Sequence, residues 1–185
     1  MVFDIFTLVE GLWIILPAYA ANGLAPLVKL LPRHPIDGGR SWRGRPIFGE
    51  GKSWEGLLLG AAAGMLVALV EQAAFPFLPW PLSEEIHGVA LNIVPMTAGL
   101  GLLLGLGAML GDLLASFAKR RAGLPRGAPV PLLDQDDFVV GAFAFASLLI
   151  GVELGWVILY LIITPLIHLL ASHIGYRLHL KREPF

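Results

Sequence analysis

Apolar stretches at about residues 5–31, 56–78, 88–118, 137–151 and 156–170 alternate with short polar segments along the chain. A bilayer core of about 30 Å takes about 20 apolar residues as helix. Each stretch is therefore predicted to span a membrane. The expected fold class is an all-α integral membrane protein with five transmembrane helices, forming one transmembrane domain over residues 1–185.

Each stretch carries internal marks. Pro17 and Pro26 should kink the first or break its end. Its start, M-V-F-D-I-F, has no basic n-region, so it reads as a retained helix rather than a cleaved signal. Gly56, Gly60 and Gly64 recur on one face of the second stretch, and small residues at that spacing let membrane helices approach closely. Gly101 and Gly105, then Gly107 and Gly111, do the same in the third. That stretch is longer than a bilayer is thick, so it should tilt, kink at Pro95 or protrude. The fourth is short but almost wholly apolar. Between the first two lies Pro32–Glu55, punctuated by Gly and Pro, which reads as a loop with one short amphipathic turn around Trp42.

Composition agrees with the membrane assignment. The chain is 56% hydrophobic and 15% charged, with mean hydropathy +0.74, whereas soluble domains are about 25% charged. Absence of cysteine excludes disulfides and thiolate metal sites. Net charge is only −1, but the distribution is informative. With five spans, six bases in Lys29–Lys52, four in Lys119–Arg126 and three in the tail fall on one side, which accounts for all thirteen. Asp4, Glu10, Glu71, Glu84, Glu85 and Glu153 fall on the other, with no base among them. The positive-inside rule then places the N-terminus outside, with the 32–55 loop, the 119–136 loop and the C-terminus in the cytoplasm.

The cytoplasmic side also carries the chemistry. Asp112, Ser116 and Lys119 stand at i, i+4 and i+7, hence on one helix face. Asp134 and Asp137, three apart, share a face where the fourth stretch begins. If the third and fourth spans pack antiparallel, these acids meet. Gathered carboxylates without sulfur or nitrogen partners suit Mg²⁺, whose other ligands are often phosphate oxygens. Lys119, Arg120, Arg121 and Arg126 surround the acids. The loop G-E-G-K-S-W-E-G is not a P-loop, because Pro46 stands where that motif needs Gly and no strand precedes it. Gly49 and Gly51 beside Lys52 and Ser53 at a helix N-terminus nevertheless make a phosphate cradle. Plainer readings compete. Bases flanking spans anchor topology, and Gly repeats pack helices. The five histidines lack metal-ligand spacing, and Trp42 and Trp54 read as interface anchors.

G-D-L-L-A-S-F-A-K-R followed by D-Q-D-D resembles the signature of the CDP-diglyceride synthetase (phosphatidate cytidylyltransferase) family. That signature is an S-x-x-K-R, a Gly-containing basic stretch and a closing D-x-x-D: here Ser116, Lys119 and Arg120, then Asp134 and Asp137. With P-I-D-G-G-R and G-E-G-K-S-W near the start, the short five-span form looks like the archaeal branch, the CDP-archaeol synthases. The bacterial K-D after the basic cluster is absent, V-P-L-L replaces the bacterial H-G-G, and Ala118 stands where the family has a larger hydrophobic residue.

The resemblance implies a cytidylyltransferase of phospholipid biosynthesis that makes CDP-2,3-bis-(O-geranylgeranyl)-sn-glycerol and pyrophosphate from CTP and the ether-lipid phosphate. It implies Mg²⁺ held by Asp112, Asp134 and Asp137, with Asp112, Lys119 and Asp134 catalytic. Ser116, Lys119 and Arg120 would hold triphosphate, Lys52 and Ser53 triphosphate or lipid phosphate, and Asn22 and Asp37 would line the inner pocket. Expected partners are CTP, the isoprenoid ether-lipid phosphate, membrane lipid and a second copy of the chain, with no nucleic acid. The site would face the cytoplasm from the plasma membrane. A small transporter with an acidic intramembrane site is the rival class, but all the acids singled out lie at one membrane face and no internal repeat is visible.

Overall fold

The computed structural model describes residues 4–30, 32–80, 84, 88 and 90–177. The basic tail with Lys181 and Arg182, together with Glu85 and His87, lies outside the described residues. Five long helices form the body: α1 (Ile5–Leu24), α2 (Trp54–Ala74), α3 (Ala98–Arg121), α4 (Leu133–Ala146) and α5 (Leu154–Arg177). Of these, α1, α2 with its 3-10 end to Phe77, and α3 are long and apolar enough to cross a membrane. Helix α4 has only 14 residues, about 21 Å at 1.5 Å per residue.

Several boundaries differ from the apolar stretches. The first stretch ends as α-helix at Leu24 and continues as a 3-10 helix, Ala25–Leu30, which contains Pro26. Pro17, by contrast, sits inside α1. The third stretch is not helical at its start. Residues 90–97 are irregular, and α3 begins only where the Thr97 side chain accepts the Leu100 N–H at 3.1 Å. That apolar segment is held instead by side chains. Asn92 donates through its backbone N–H to Glu10 and through its amide to Glu153, both at 2.6 Å, and Trp13 donates to the Val94 carbonyl at 2.9 Å. The fourth stretch is helical four residues earlier than expected and ends at Ala146. The fifth is helical from Leu154 to Arg177.

A β-hairpin, β1 (Ser41–Trp42) and β2 (Arg45–Pro46), replaces the amphipathic turn expected at Trp42. Its two turn residues, Arg43 and Gly44, have φ of 52° and 73°, the backbone of a tight two-residue hairpin turn.

Helix α3 is the central element and packs on α1, α2 and α4. Its glycines set these distances, as their spacing predicted. A Cβ on Gly64 of α2 would lie 2.8 Å from both the Gly101 carbonyl oxygen and the Gly105 Cα of α3. On the other face, Gly107 meets the Gly141 backbone of α4, and Gly111 meets the Asp137 carbonyl. Backbone-to-backbone contact is the tightest packing two helices can reach, and here it fixes which side chains share the end of the bundle. Buried aromatic residues fill the remainder of the core: Trp156, Tyr160 and Phe138, with Ile14 and Ile15 of α1.

Candidate active site

Gly111 precedes Asp112, and the carbonyl it touches belongs to Asp137. The α3–α4 contact that excludes a side chain at 111 therefore delivers two carboxylates to one place. Asp134 opens the same first turn of α4. It is anchored there by accepting the Val130 N–H at 2.9 Å. Asp137 accepts the Phe138 N–H at 2.6 Å and lies within reach of the charges of Asp112, Asp134 and Lys52.

Two lysines answer these acids. Lys52, just before the α2 N-cap, donates to both oxygens of Asp112 at 2.6 and 2.5 Å. Lys119, at the end of α3, donates to Asp134 at 2.5 Å. Both pairs are partly shielded, with side-chain exposures of 25% and 30% in the first and 15% and 31% in the second. Asp112 and Asp134 are thus each taken by a lysine, while Asp137 is not. Among the described residues, no three His, Asp or Glu side chains are gathered as a ready cage for a metal ion. The donor chemistry still suits a hard divalent cation, since all three groups are carboxylates on neighbouring turns.

Two cavities open beside this cluster. The first, about 320 Å³, has Asn22, Lys52, Ser53 and Asp112 in its wall, with Ala25, Val28, Leu57, Met109 and Leu113 on its apolar side. The second, about 420 Å³, is lined by Asp37, Arg45, Glu50 and Arg120 among others. Arg126 lines both. Ser116, Lys119, Asp134 and Asp137 line neither, so the residues expected to hold one triphosphate are divided. Arg33 and Arg126 join the first cavity. The basic loop hinted at Arg126, but no spacing marked Arg33.

Two expected ligand residues are already engaged in building the site. Asp37 is buried and accepts the N–H groups of Gly39, Phe48 and Gly49 at 2.9–3.0 Å. Burial alone would raise its pKa, but these backbone donors outweigh it and hold the carboxyl below its usual value. The Gly49 N–H, offered by sequence to a phosphate, is therefore spent on Asp37. Ser53 is the α2 N-cap, its hydroxyl accepting the Gly56 N–H at 3.2 Å. Its buried side chain still borders the first cavity. Ser116 is buried on α3. Arg120 is buried as well. One of its terminal nitrogens donates to the Leu124 carbonyl, while its Nε has no hydrogen-bond partner among the described residues. A buried guanidinium with a free donor beside a cavity is a place for an anion.

A model of the CarS-like family, CDP-archaeol synthase, matches residues 2–185. The CDP-archaeol synthase of Pyrococcus abyssi is 41% identical over 177 residues, covering 95% of this chain and 97% of its own length. That of Halobacterium salinarum is 40% identical over 185 residues, covering 97% of each. A solved structure of an intramembrane enzyme for archaeal membrane lipids biosynthesis is similar with a TM-score of 0.70. It is 34% identical, and the match covers 89% of this chain and 93% of that one. The chain belongs to the CarS-like family of CDP-archaeol synthases.

Proposed function

We propose that the chain carries out its family's reaction where the Lys52–Asp112 and Lys119–Asp134 pairs meet. It is a CTP-dependent cytidylyltransferase that makes CDP-archaeol. An oxygen of the isoprenoid ether-lipid phosphate attacks the α-phosphorus of CTP. A new P–O bond forms, the bond from the α-phosphorus to the bridging oxygen breaks, and pyrophosphate leaves with the electron pair. The attacking phosphate is already anionic, so the step needs no strong general base. It needs two polyanions brought together and their charge neutralised.

The paired side chains suit that task. Lys52 satisfies Asp112, and Lys119 satisfies Asp134. A triphosphate would take Lys52, Lys119 and the free donor of Arg120, which would release Asp112 and Asp134. The released carboxylates, with Asp137, would hold Mg²⁺, which when bound neutralises triphosphate oxygens and helps to align the attacking and leaving groups. Ser53 and Asn22 would then orient a headgroup in the first cavity, whose apolar side suits a glycerol ether. The isoprenoid tails would enter between helices from the bilayer.

The membrane placement is part of the proposal. All five helices cross or enter the bilayer of the plasma membrane, and the charged end faces the cytoplasm, where CTP is found. The segregation of the bases supports this orientation. The observation that carries the reading is the convergence of two lysines and three aspartates at backbone contact between α3 and α4. The test uses purified protein with labelled CTP and the ether-lipid phosphate, with and without Mg²⁺. Label should pass to lipid only when all three are present. Lipid labelling that is indifferent to divalent ions would refute the metal assignment, and none under any condition would refute the reaction.

A further inference from the structure

We propose that the hairpin β1–β2 is a docking surface for anionic lipid headgroups, holding them in the leaflet beside the charged end of α3. Four observations carry it. The first is the turn. Arg43 has φ of 52°, a left-handed backbone that a two-residue hairpin normally fills with Asn, Asp or Gly. An arginine there is strained, and such strain persists where the side chain has a task. The strained position sets the Arg43 guanidinium over the exposed Trp42 ring, 5.4 Å from its centre.

The second is positive charge that no carboxylate balances at ion-pair distance among the described residues. Arg40 and Arg43 are exposed, and neither takes part in an ion pair among the described residues. Arg126, by contrast, pairs with Glu50.

The third is rigidity. Trp42 stacks on Phe117 of α3 with ring centres 5.9 Å apart and planes within 13°. The Arg121 guanidinium sits 5.2 Å from the first ring and 5.3 Å from the second. Arg121 also donates to the carbonyls of Trp42, Arg45 and Pro46, while Arg45 donates back to the Arg121 carbonyl at 2.5 Å. The hairpin is therefore fixed to the helix that carries Asp112.

The fourth is depth, which rests on the membrane placement proposed above. Helix α3 has 24 residues, about 36 Å against a hydrocarbon core of about 30 Å. Its last turn, from Phe117 to Arg121, emerges into the headgroup layer. Trp42 is half exposed and lies at that level, the depth that tryptophan favours. Arg43 over that ring and Arg40 beside it, neither in an ion pair among the described residues, then stand at the height of the lipid phosphates.

The consequence concerns supply. The lipid substrate is itself an anionic phosphate, so this surface would concentrate it near the cavities. A basic residue at a membrane surface strengthens binding of anionic lipid by about five-fold, so Arg40 and Arg43 together should contribute about 25-fold.

The experiment uses full-length protein in nanodiscs of zwitterionic lipid containing a small fraction of lipid phosphate. The double variant Arg40→Gln/Arg43→Gln should raise the KM for lipid phosphate by about 10- to 25-fold and leave kcat and the KM for CTP within about two-fold. Adding a non-substrate anionic lipid should raise that KM in the parent chain and not in the variant. An activity-independent measurement runs alongside. A headgroup-quenched anionic lipid should quench the parent chain's tryptophan emission more than that of Trp42→Phe, and the difference should vanish in the double variant. Unchanged lipid KM together with unchanged quenching would overturn the docking surface. An inactive parent chain with the quenching difference intact would instead count against the reaction and leave this surface standing.

Discussion

Gly111→Ala tests the way the fold builds the site. The added Cβ would overlap the Asp137 carbonyl oxygen and lie 2.9 Å from its carbon and 3.3 Å from Gly141 Cα. All three are backbone atoms, so no side chain can swing aside. Ordinary contact begins near 3.4 Å, so the first turn of α4 must retreat by roughly 1 Å. Overpacking of this kind costs about 1–3 kcal/mol, offset by about 1 kcal/mol for replacing a helical glycine. The protein should still fold. Catalysis is less forgiving, because a misplacement of about 1 Å can cost about 100-fold. The expected loss of CDP-lipid formation is therefore about 10- to 100-fold, measured with labelled CTP on protein that elutes as the parent does in detergent. Gly99→Ala on the same helix is the control, since its nearest neighbour is Thr97 Oγ1 at 4.0 Å. It should be fully active. If Gly111→Ala were folded and as active as Gly99→Ala, the backbone contact would not be what positions Asp112 against Asp137.

Lys52→Gln and Lys119→Gln should each raise the KM for CTP or lower kcat by about 10- to 100-fold, in steady-state assays that vary CTP and lipid phosphate separately. Asp37→Asn should lower thermal stability by about 1–3 kcal/mol, because three backbone N–H groups lose a charged acceptor. Since these donors depress the Asp37 pKa, its stabilisation is present above about pH 4 and lost as pH falls through the folded value. The parent's unfolding midpoint should therefore drop on acidification in a way that the variant's does not. Chelation should abolish turnover reversibly, with activity returning on addition of Mg²⁺.

The sequence carried the outline of this architecture for physical reasons. The glycine spacings announced both helix contacts, because only small residues allow such approach. Asp112, Ser116 and Lys119 were legible because three residues at helical spacing share a face wherever the helix goes. The start of α3 was not legible. Residues 90–97 are as apolar as a helix, and the contacts that hold the segment outside one, Asn92 to Glu10 and Glu153 and Trp13 to the Val94 carbonyl, come from far away in sequence. The hairpin at Trp42 was hidden because its turn carries arginine where turn chemistry predicts asparagine. Asp37 read as a pocket residue and lines the second cavity, but its three backbone donors come from loop geometry that the sequence does not show. The division of the site into two cavities, joined by Arg126, depends on loop geometry that no spacing encodes.

The most direct test of the central claim is single-turnover transfer from labelled CTP by Asp112→Asn and Asp134→Asn, in protein that inserts and folds like the parent. Each substitution keeps shape and removes a charge that the reaction is proposed to use. A fall in lipid labelling of about 100-fold or more in both is the predicted result. Transfer at the parent rate by either variant, in limiting Mg²⁺, would contradict the account.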